Sequence, residues 1–265
     1  MSGGKRESGM NTIVVDYTNF KREHLCCVLR DRNGEGRIEA KRRWLENVFE
    51  DGLVLRKGDV NGRAFMEYVP AEDAWCPVDA PGYMFIHCYR IDDKFRGQGY
   101  DTAIWRECVA ECRIKHKKGL CVLVGEHDLP NLNRKSDFEA RGFRFAAKAE
   151  PYFELWYLPL EEDAEPPRFS ADLTEAEVER EGWALYYSHQ CPHTAKLVPR
   201  LEAKAKELNI PLKTVLLEKT AEYRAVPRIP CAYTTFALFY NGAFVTHEML
   251  SPARFGKLLS EHGKK

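Results

Sequence analysis

The sequence predicts an α/β (α+β) protein of two domains, each built on a mixed β-sheet. Short apolar runs of strand length alternate with segments whose apolar residues recur at helical spacing. An acidic stretch with a Pro-Pro pair interrupts this pattern once, and the order of elements differs on its two sides. The predicted parts are a disordered tail at 1–11, a first domain at 12–160, a linker at 161–181 and a smaller domain at 182–265.

In the first domain the pattern predicts the order β-α-α-β-β-β-α-β-α-β, a mixed sheet with one central βαβ crossover. Residues 12–18 predict a strand, and residues 21–29 and 37–51 predict helices, the second because of its helical apolar spacing. Three strands, a helix closed by Gly119, a strand, a short helix and a last strand follow. Their predicted bounds are 52–59, 62–70, 82–91, 99–119, 120–125, 134–143 and 151–158.

The second domain has the predicted order β-α-β-β-β-α. A strand at 182–188 precedes a helix that starts at the Cys-Pro-His-Thr segment, and a second strand follows at 212–218. Asn241-Gly242 is a strong hairpin signal inside the apolar run 234–248. A closing helix begins near Ser251, which suits an N-cap because a proline follows it.

Composition excludes several classes of function. Lysine plus arginine equals aspartate plus glutamate, 40 each, so the chain lacks the basic surplus of a nucleic-acid-binding protein. No apolar run approaches the roughly 20 residues that cross a bilayer. Nine cysteines and an N-terminus without an apolar leader favour a reducing compartment. We expect a cytoplasmic protein with no nucleic-acid or membrane partner.

The segment IDDKFRGQGYDTAIW, at 91–105, joins a predicted strand to a predicted helix. Its glycines leave backbone N–H groups unobstructed at the positive end of the helix, where a diphosphate binds well. The spacing is not the G-x-G-x-x-G of dinucleotide folds. Instead, the segment and the order of elements over 12–160 resemble the GNAT acetyltransferases, whose loop has the form Gln/Arg-x-x-Gly-x-Gly/Ala. A plain surface turn is the competing interpretation.

This resemblance implies acetyl-CoA as co-substrate, with its pyrophosphate on the N–H groups of residues 96–101 and its pantetheine arm paired to the strand before them. Asp101 departs from the family pattern, which has Gly or Ala there. Two negative charges about 5 Å apart repel by on the order of 1–3 kcal/mol, so this carboxylate must turn outward or meet a cation. The residues assigned to the cofactor are Tyr89, Ile91, Arg96, Gly97, Gln98, Gly99, Tyr100, Asp101 and Asn131.

Direct acetyl transfer requires a neutral amine, a polarised thioester and a leaving thiolate that is protonated or stabilised. Many GNAT enzymes donate the proton from a tyrosine, but Phe138 stands at that position. Glu67 is the predicted base, and a solvated carboxylate paired with Lys or Arg is the competing interpretation. His87 is the other catalytic candidate in this domain, against the alternative of a satisfied core histidine. Cys88, next to it, should face the opposite side of the sheet.

In the second domain Cys191 follows a strand and starts a helix, a position expected to lower the pKa of a thiol. The Cys-Pro-His-Thr motif resembles thioredoxin and glutaredoxin sites, with Thr194 in place of the second cysteine. Cys231 lies in the loop that would face Cys191. Cys191 is therefore a catalytic candidate with three open roles: a redox thiol, a remnant in a domain that recognises substrate, or a helix cysteine without function.

Taken together, AFMEYVPAEDAWCPVDAPGYMFIHCYRI, PYFELWYL, LYYSHQCPHT and TTFALFYNGAFVTHE resemble bacterial GNAT proteins with a small thioredoxin-like, YoaP-like C-terminal domain. This implies an N-acetyltransferase acting on the amine of a small molecule or an amino-acid-like acceptor. The alternative is a thiol-redox or binding protein with a catalytically weak GNAT half. Cys108, Cys112 and His116 follow one helical face, but buried thiols commonly fill cores and no metal is expected. The sequence leaves a homodimer open.

Overall fold

A computed structural model describes residues 10–25, 27–31, 34–219 and 228–262. Before residue 160 the elements are β1 (Thr12–Val15), α1 (Arg37–Phe49), β2 (Val54–Gly58), β3 (Ala64–Pro70), β4 (Val78–Asp79), β5 (Tyr83–Ile91), α2 (Tyr100–Ile114), β6 (Gly119–Gly125), α3 (Lys135–Glu139), β7 (Arg144–Ala149) and β8 (Phe153–Pro159). After it come β9 (Arg168–Phe169), α4 (Asp172–Glu175), β10 (Trp183–Tyr187), α5 (His193–Glu207), β11 (Leu212–Leu216), β12 (Phe236–Tyr240), β13 (Ala243–Thr246) and α6 (Pro252–His262).

The first half is built on a seven-stranded sheet with the order β1-β2-β3-β5-β6-β8-β7. Strands β5 and β6 are parallel and are joined through α2, whereas the other neighbouring pairs are antiparallel. The mixed α/β fold with one central crossover is therefore confirmed. Because side chains alternate along each strand, one face packs on α1 and the other packs on α2 and α3.

The second half has the predicted element order, and its sheet runs β11-β10-β12-β13. Only the β10–β11 pair is parallel among these neighbours. Asn241 and Gly242 both take positive φ at the β12–β13 turn, as an Asn-Gly hairpin requires. Likeness to thioredoxin stays a prediction.

The two halves share one apolar core. Ala184, Tyr186, Ala237 and Phe239 line the inner face of the second sheet and join the cluster that covers the first sheet beside α1. The outer face of the second sheet packs on α5 and α6. This continuous packing holds the two halves face to face, so the residues between them form a fixed boundary.

The structure corrects several predicted elements. A helix at 21–29 is wrong: its described residues form turns and a bridge between Leu25 and Val28. Side chains of this segment bond distant residues instead: Lys57 Nζ donates to Glu23 Oε2 at 2.7 Å, and His24 Nε2 lies 2.6 Å from the Gly62 carbonyl oxygen. Helix α2 ends at Ile114 rather than at Gly119, which begins β6.

Three short strands were not predicted, β4, β7 and β9. The sheet has an edge strand, β7, that pairs with β8. The predicted linker at 161–181 contains β9, which pairs with β4, and α4. The predicted domain boundaries stay a prediction. None of the helices in the described part of the chain is long and apolar enough to span a bilayer.

Candidate active site

Strands β5 and β6 separate at the centre of the first sheet. Their pairing ends at Ile86 and Val122, although β5 continues to Ile91. On its other side β5 pairs with β3, and the register shifts so that His87 is the extra residue of a bulge. The split exposes one edge of β5 to incoming groups, and the bulge changes the direction of side chains at that point.

Asn133 fills the split between these strands. Its Oδ1 accepts the Tyr89 N–H at 2.9 Å, and its Nδ2 donates to the His87 carbonyl at 3.3 Å. The Tyr89 amide is therefore already engaged in this structure, and its pairing with pantetheine stays a prediction. By strand alternation the Ile91 N–H points the same way as that of Tyr89. The residue predicted from the sequence to contact CoA was Asn131, because it lies seven positions before Phe138, and Asn133 was not selected.

Asn131 lies where the two halves meet. Its Oδ1 accepts the Met249 N–H at 3.1 Å, and its carbonyl accepts the Tyr233 hydroxyl at 3.0 Å. It also lines the cavity described below. A contact between Asn131 and CoA stays a prediction.

The glycine loop has the backbone expected of an anion site. Gly97 and Gly99 have φ of 71° and 91°, and a Cβ at Gly97 would meet no atom within 4 Å. Glycine is needed there for backbone conformation rather than for space. Helix α2 starts at Tyr100, so the N–H groups of its first turn have no intrahelical partner.

Not every amide in the loop is available. The Arg96 N–H donates to the Asp93 carbonyl at 3.1 Å and the Gln98 N–H to the Phe95 carbonyl at 3.3 Å. The prediction that the amides of residues 96–101 cradle the pyrophosphate therefore depends on the other amides of that range, and it stays a prediction. The Gln98 side chain also turns away, because its Nε2 donates to the Lys94 carbonyl at 2.5 Å.

Asp101 meets a cation. Arg141 Nη2 lies 3.8 Å from its carboxylate and donates to the Tyr89 hydroxyl at 3.0 Å. The guanidinium also lies over the rings of Tyr89 and Trp105. Phe138 is fully buried among the same aromatic rings. The charge at Asp101 is therefore balanced, and Phe138 offers no proton.

A cavity of about 290 Å³ lies between the two halves. From the first half it is lined by Glu67, His87 and Arg90, and from the second by Gln190 and Cys191, among others. A hollow of about 190 Å³ follows the end of β5 toward Arg96 and shares two wall residues with the cavity, Arg63 and Arg90. The structure thus brings the three catalytic candidates together and places them beside the predicted cofactor groove.

Glu67 forms a buried ion pair. Lys41 Nζ lies 2.8 Å from Glu67 Oε2, and their side chains are 0% and 1% exposed. The same ammonium donates to the Gln190 carbonyl at 2.7 Å and lies over the Trp44 ring. Glu67 therefore pairs with a lysine, as its competing interpretation expected, but on a cavity wall instead of in solvent.

His87 is neither a solvent-exposed base nor a fully satisfied core residue. Its Nε2 accepts the Trp75 N–H at 3.0 Å, whereas its buried Nδ1 has no partner in the described structure. Burial, with smaller contributions from Lys41 and Lys219, lowers the pKa of His87 to about 3. The ring is neutral, and since Nε2 accepts, its proton lies on Nδ1.

Cys191 lies on the cavity wall two residues before α5 starts at His193. The prediction that the helix terminus lowers its pKa is wrong, because burial raises the pKa of the Cys191 thiol to about 12. Cys231 donates to the Tyr233 carbonyl and is not part of the cavity wall. All eight described cysteines are free thiols.

The described residues contain no group of three His, Cys, Asp or Glu side chains placed to hold a metal ion. Cys108 and Cys112 are buried against the sheet. His116 lies beyond the end of α2, with φ of 51°, so it does not share their helical face.

The first sheet splits beside a cavity lined by both halves, and sequence comparison identifies the class of protein. The chain is 30% identical to an uncharacterized N-acetyltransferase, YoaP of Bacillus subtilis strain 168, over 94% of this chain and 98% of that protein. The YoaP-like family model matches residues 211–257. The chain therefore belongs to the YoaP family of N-acetyltransferases, and the predicted resemblance is confirmed.

Solved structures of lower identity also align with the chain. A GNAT-family acetyltransferase from Staphylococcus aureus Mu50 is 9% identical, with a TM-score of 0.38 over 57% of this chain and 99% of that one. A GNAT-family N-acetyltransferase from Escherichia coli, solved in complex with CoA, is 16% identical, with a TM-score of 0.33 over 48% of this chain and 70% of that one.

Proposed function

We propose that this chain is an acetyl-CoA-dependent N-acetyltransferase that acts on the amine of a small molecule or amino-acid-like acceptor held between its two halves. The observation that carries the proposal is that the cavity and the groove along β5 share two wall residues, Arg63 and Arg90. The groove reaches Arg96 beside the glycine loop, and the cavity is lined by residues of both halves. Membership of the YoaP family supports acetyl transfer.

The cofactor would enter along β5. The first turn of α2, after Gly99, offers N–H groups at the positive end of a 15-residue helix, which suits a pyrophosphate. Arg96 and Arg134 line the adjoining groove, where they are paired with aspartates and would have to turn from them to meet the phosphates. The arm would continue past the Ile91 amide, and Asn133 must release Tyr89 if the arm pairs there.

Transfer would occur where groove and cavity meet. The acceptor nitrogen attacks the thioester carbon, a C–N bond forms, the C–S bond breaks, and the sulfur keeps the electron pair. The nitrogen loses one proton to the Glu67 carboxylate, directly or through water. Because Phe138 carries no hydroxyl, CoA leaves as a thiolate and is protonated from solvent.

The second half would form the acceptor wall instead of acting as a separate redox unit. Gln190 and Tyr233 line the cavity, and the Thr234 hydroxyl donates to the Trp75 carbonyl at 2.7 Å across the boundary. The thiol-redox alternative lacks its main support, since a Cys191 thiol with a raised pKa is a poor nucleophile at neutral pH.

Calorimetry with acetyl-CoA and an assay of CoA release over a panel of primary amines test this function. Gly99→Ala should raise the Kd of acetyl-CoA at least about tenfold, a loss of about 1.4 kcal/mol. Gly182→Ala is the control, because Gly182 also has positive φ but lies in the other half, where an added Cβ meets no atom within 4 Å. The Kd of acetyl-CoA for this variant should equal that of the wild type. No saturable acetyl-CoA binding by the wild type would overturn the function.

A further inference from the structure

The cavity contains buried hydrogen-bond donors that nothing in the described protein accepts. Trp75 Nε1 and His87 Nδ1 have no partner, and their residues are only 3% and 8% exposed. Both residues line the cavity. Buried donors are nearly always satisfied in folded proteins, so two unpartnered donors on residues of one cavity wall suit a ligand that brings acceptor atoms.

His87 is fixed as a donor. Its Nε2 receives the Trp75 backbone N–H, which assigns the ring proton to Nδ1. The bulge in β5 places this residue at the point where the sheet opens. A neutral imidazole in this state donates a hydrogen bond but cannot abstract a proton through Nδ1.

Arg90 supplies a positive charge that the cavity wall does not balance. Its two side-chain hydrogen bonds go to backbone carbonyls, those of Tyr89 at 2.9 Å and Leu132 at 2.6 Å. Within the described ranges no carboxylate lies within 4 Å of it, whereas Arg63 is paired with Asp92. The one carboxylate on the cavity wall, Glu67, is paired with Lys41.

Other residues of the cavity wall carry hydrogen-bond acceptors instead of donors. Gln190 Oε1 is buried without a donor in the described structure, and Glu67 provides carboxylate oxygens. Acceptors of this kind suit an amine. The cavity therefore offers a cation and open donors to an anion, and acceptors to an amine, within a volume suited to a small metabolite.

We propose that the acceptor carries a carboxylate beside its amine, as an α-amino acid does, and that Arg90 binds this carboxylate with help from the open N–H groups of His87 and Trp75. The amine then faces Glu67 and Gln190. This inference rests on the proposed N-acetyltransferase function and names its substrate class. A guanidinium is well suited to the role because it donates two parallel hydrogen bonds to a carboxylate.

The test uses the full chain, acetyl-CoA and two matched sets of probes: the common amino acids and their carboxamides, which keep the amine but lose the negative charge. We expect kcat/KM, measured by CoA release, to favour at least one free amino acid over its amide by about tenfold or more. Arg90→Gln should remove this preference mainly by raising KM for the amino acid, with less than about threefold change for the amide. Arg200→Gln, on an exposed arginine of α5, should leave both unchanged.

Each outcome decides the proposal. If acetyl-CoA binds but amides or simple amines react as well as amino acids, or no amino acid reacts, the carboxylate inference is wrong while the cofactor site stands. If acetyl-CoA does not bind, the proposed function itself fails. Should Arg90→Gln not fold by circular dichroism, Trp75→Phe replaces it: loss of the indole N–H should lower the amino-acid preference, and an unchanged preference would overturn the assignment.

Discussion

The buried pair of Lys41 and Glu67 permits a sharp stability prediction. Its atoms lie 2.8 Å apart with both side chains essentially inaccessible, and Lys41 also bonds the Gln190 carbonyl of the second half. Lys41→Met keeps an unbranched apolar side chain but leaves the Glu67 carboxylate buried without its cation. We expect the free energy of unfolding to fall by about 3–5 kcal/mol, the usual consequence of breaking a buried pair.

The double variant Lys41→Met, Glu67→Gln separates the pair from packing. It removes both charges, so most of the lost stability should return, to within about 2 kcal/mol of the wild type. Urea unfolding followed by tryptophan fluorescence measures both variants. Lys257→Met is the control, because Lys257 and Glu261 form an exposed pair worth less than about 1 kcal/mol.

Two results would contradict this reasoning. One is a Lys41→Met variant as stable as the wild type, which would mean that Glu67 finds water or another partner. The other is a double variant no more stable than the single one, which would assign the loss to packing around the lysine.

Three further predictions follow. Burial of Cys191 raises its pKa to about 12, so its thiolate fraction at pH 7.5 is on the order of 10³-fold below that of an ordinary thiol. Labelling of Cys191 with iodoacetamide, followed by mass spectrometry, should be slower by a similar factor. Labelling at the rate of a free thiol would contradict the burial. The pKa of His87 is about 3 in the folded protein and 6.5 in the unfolded chain, so its contribution to stability is present above pH 6.5 and is lost as pH falls. In urea unfolding between pH 6.5 and 5.5, the wild type should lose about 1 kcal/mol more stability than His87→Gln. Equal losses would refute the pKa shift. Arg141→Gln should weaken acetyl-CoA binding about fivefold or more at low salt, because it leaves the Asp101 charge unbalanced. Adding Asp101→Asn to this variant should restore the binding. Calorimetry that shows no recovery would assign Arg141 another role.

The spacing of apolar residues and the residues typical of turns were sufficient to predict most of the fold from the sequence. Helix α1 and the central strands were predicted because their apolar residues have a clear spacing, and the Asn241-Gly242 hairpin because few other sequences allow that turn. The edge strand β7 was missed since most of its side chains are not deeply buried, so its sequence lacks a strong apolar alternation. The prediction of a helix at 21–29 failed because tertiary contacts determine that segment: Leu25 and Val28 are buried, and His24 and Glu23 bond Gly62 and Lys57.

The candidate site was only partly predictable. The glycine loop is visible in sequence because its backbone conformation requires glycine. Arg90, Trp75 and Asn133 were not selected, since their importance depends on which hydrogen bonds remain open or are filled after folding. The charge partner of Asp101, forty residues away, and the burial that raises the pKa of Cys191 are likewise products of tertiary packing.

The measurement that tests the account most directly is a crystal structure of the full chain grown with CoA. We expect the pyrophosphate to lie on the first turn of α2 after Gly99 and the thiol to lie beside Arg90, directed into the cavity between the halves. An unoccupied glycine loop, or a bound CoA whose thiol points away from that cavity, would contradict it.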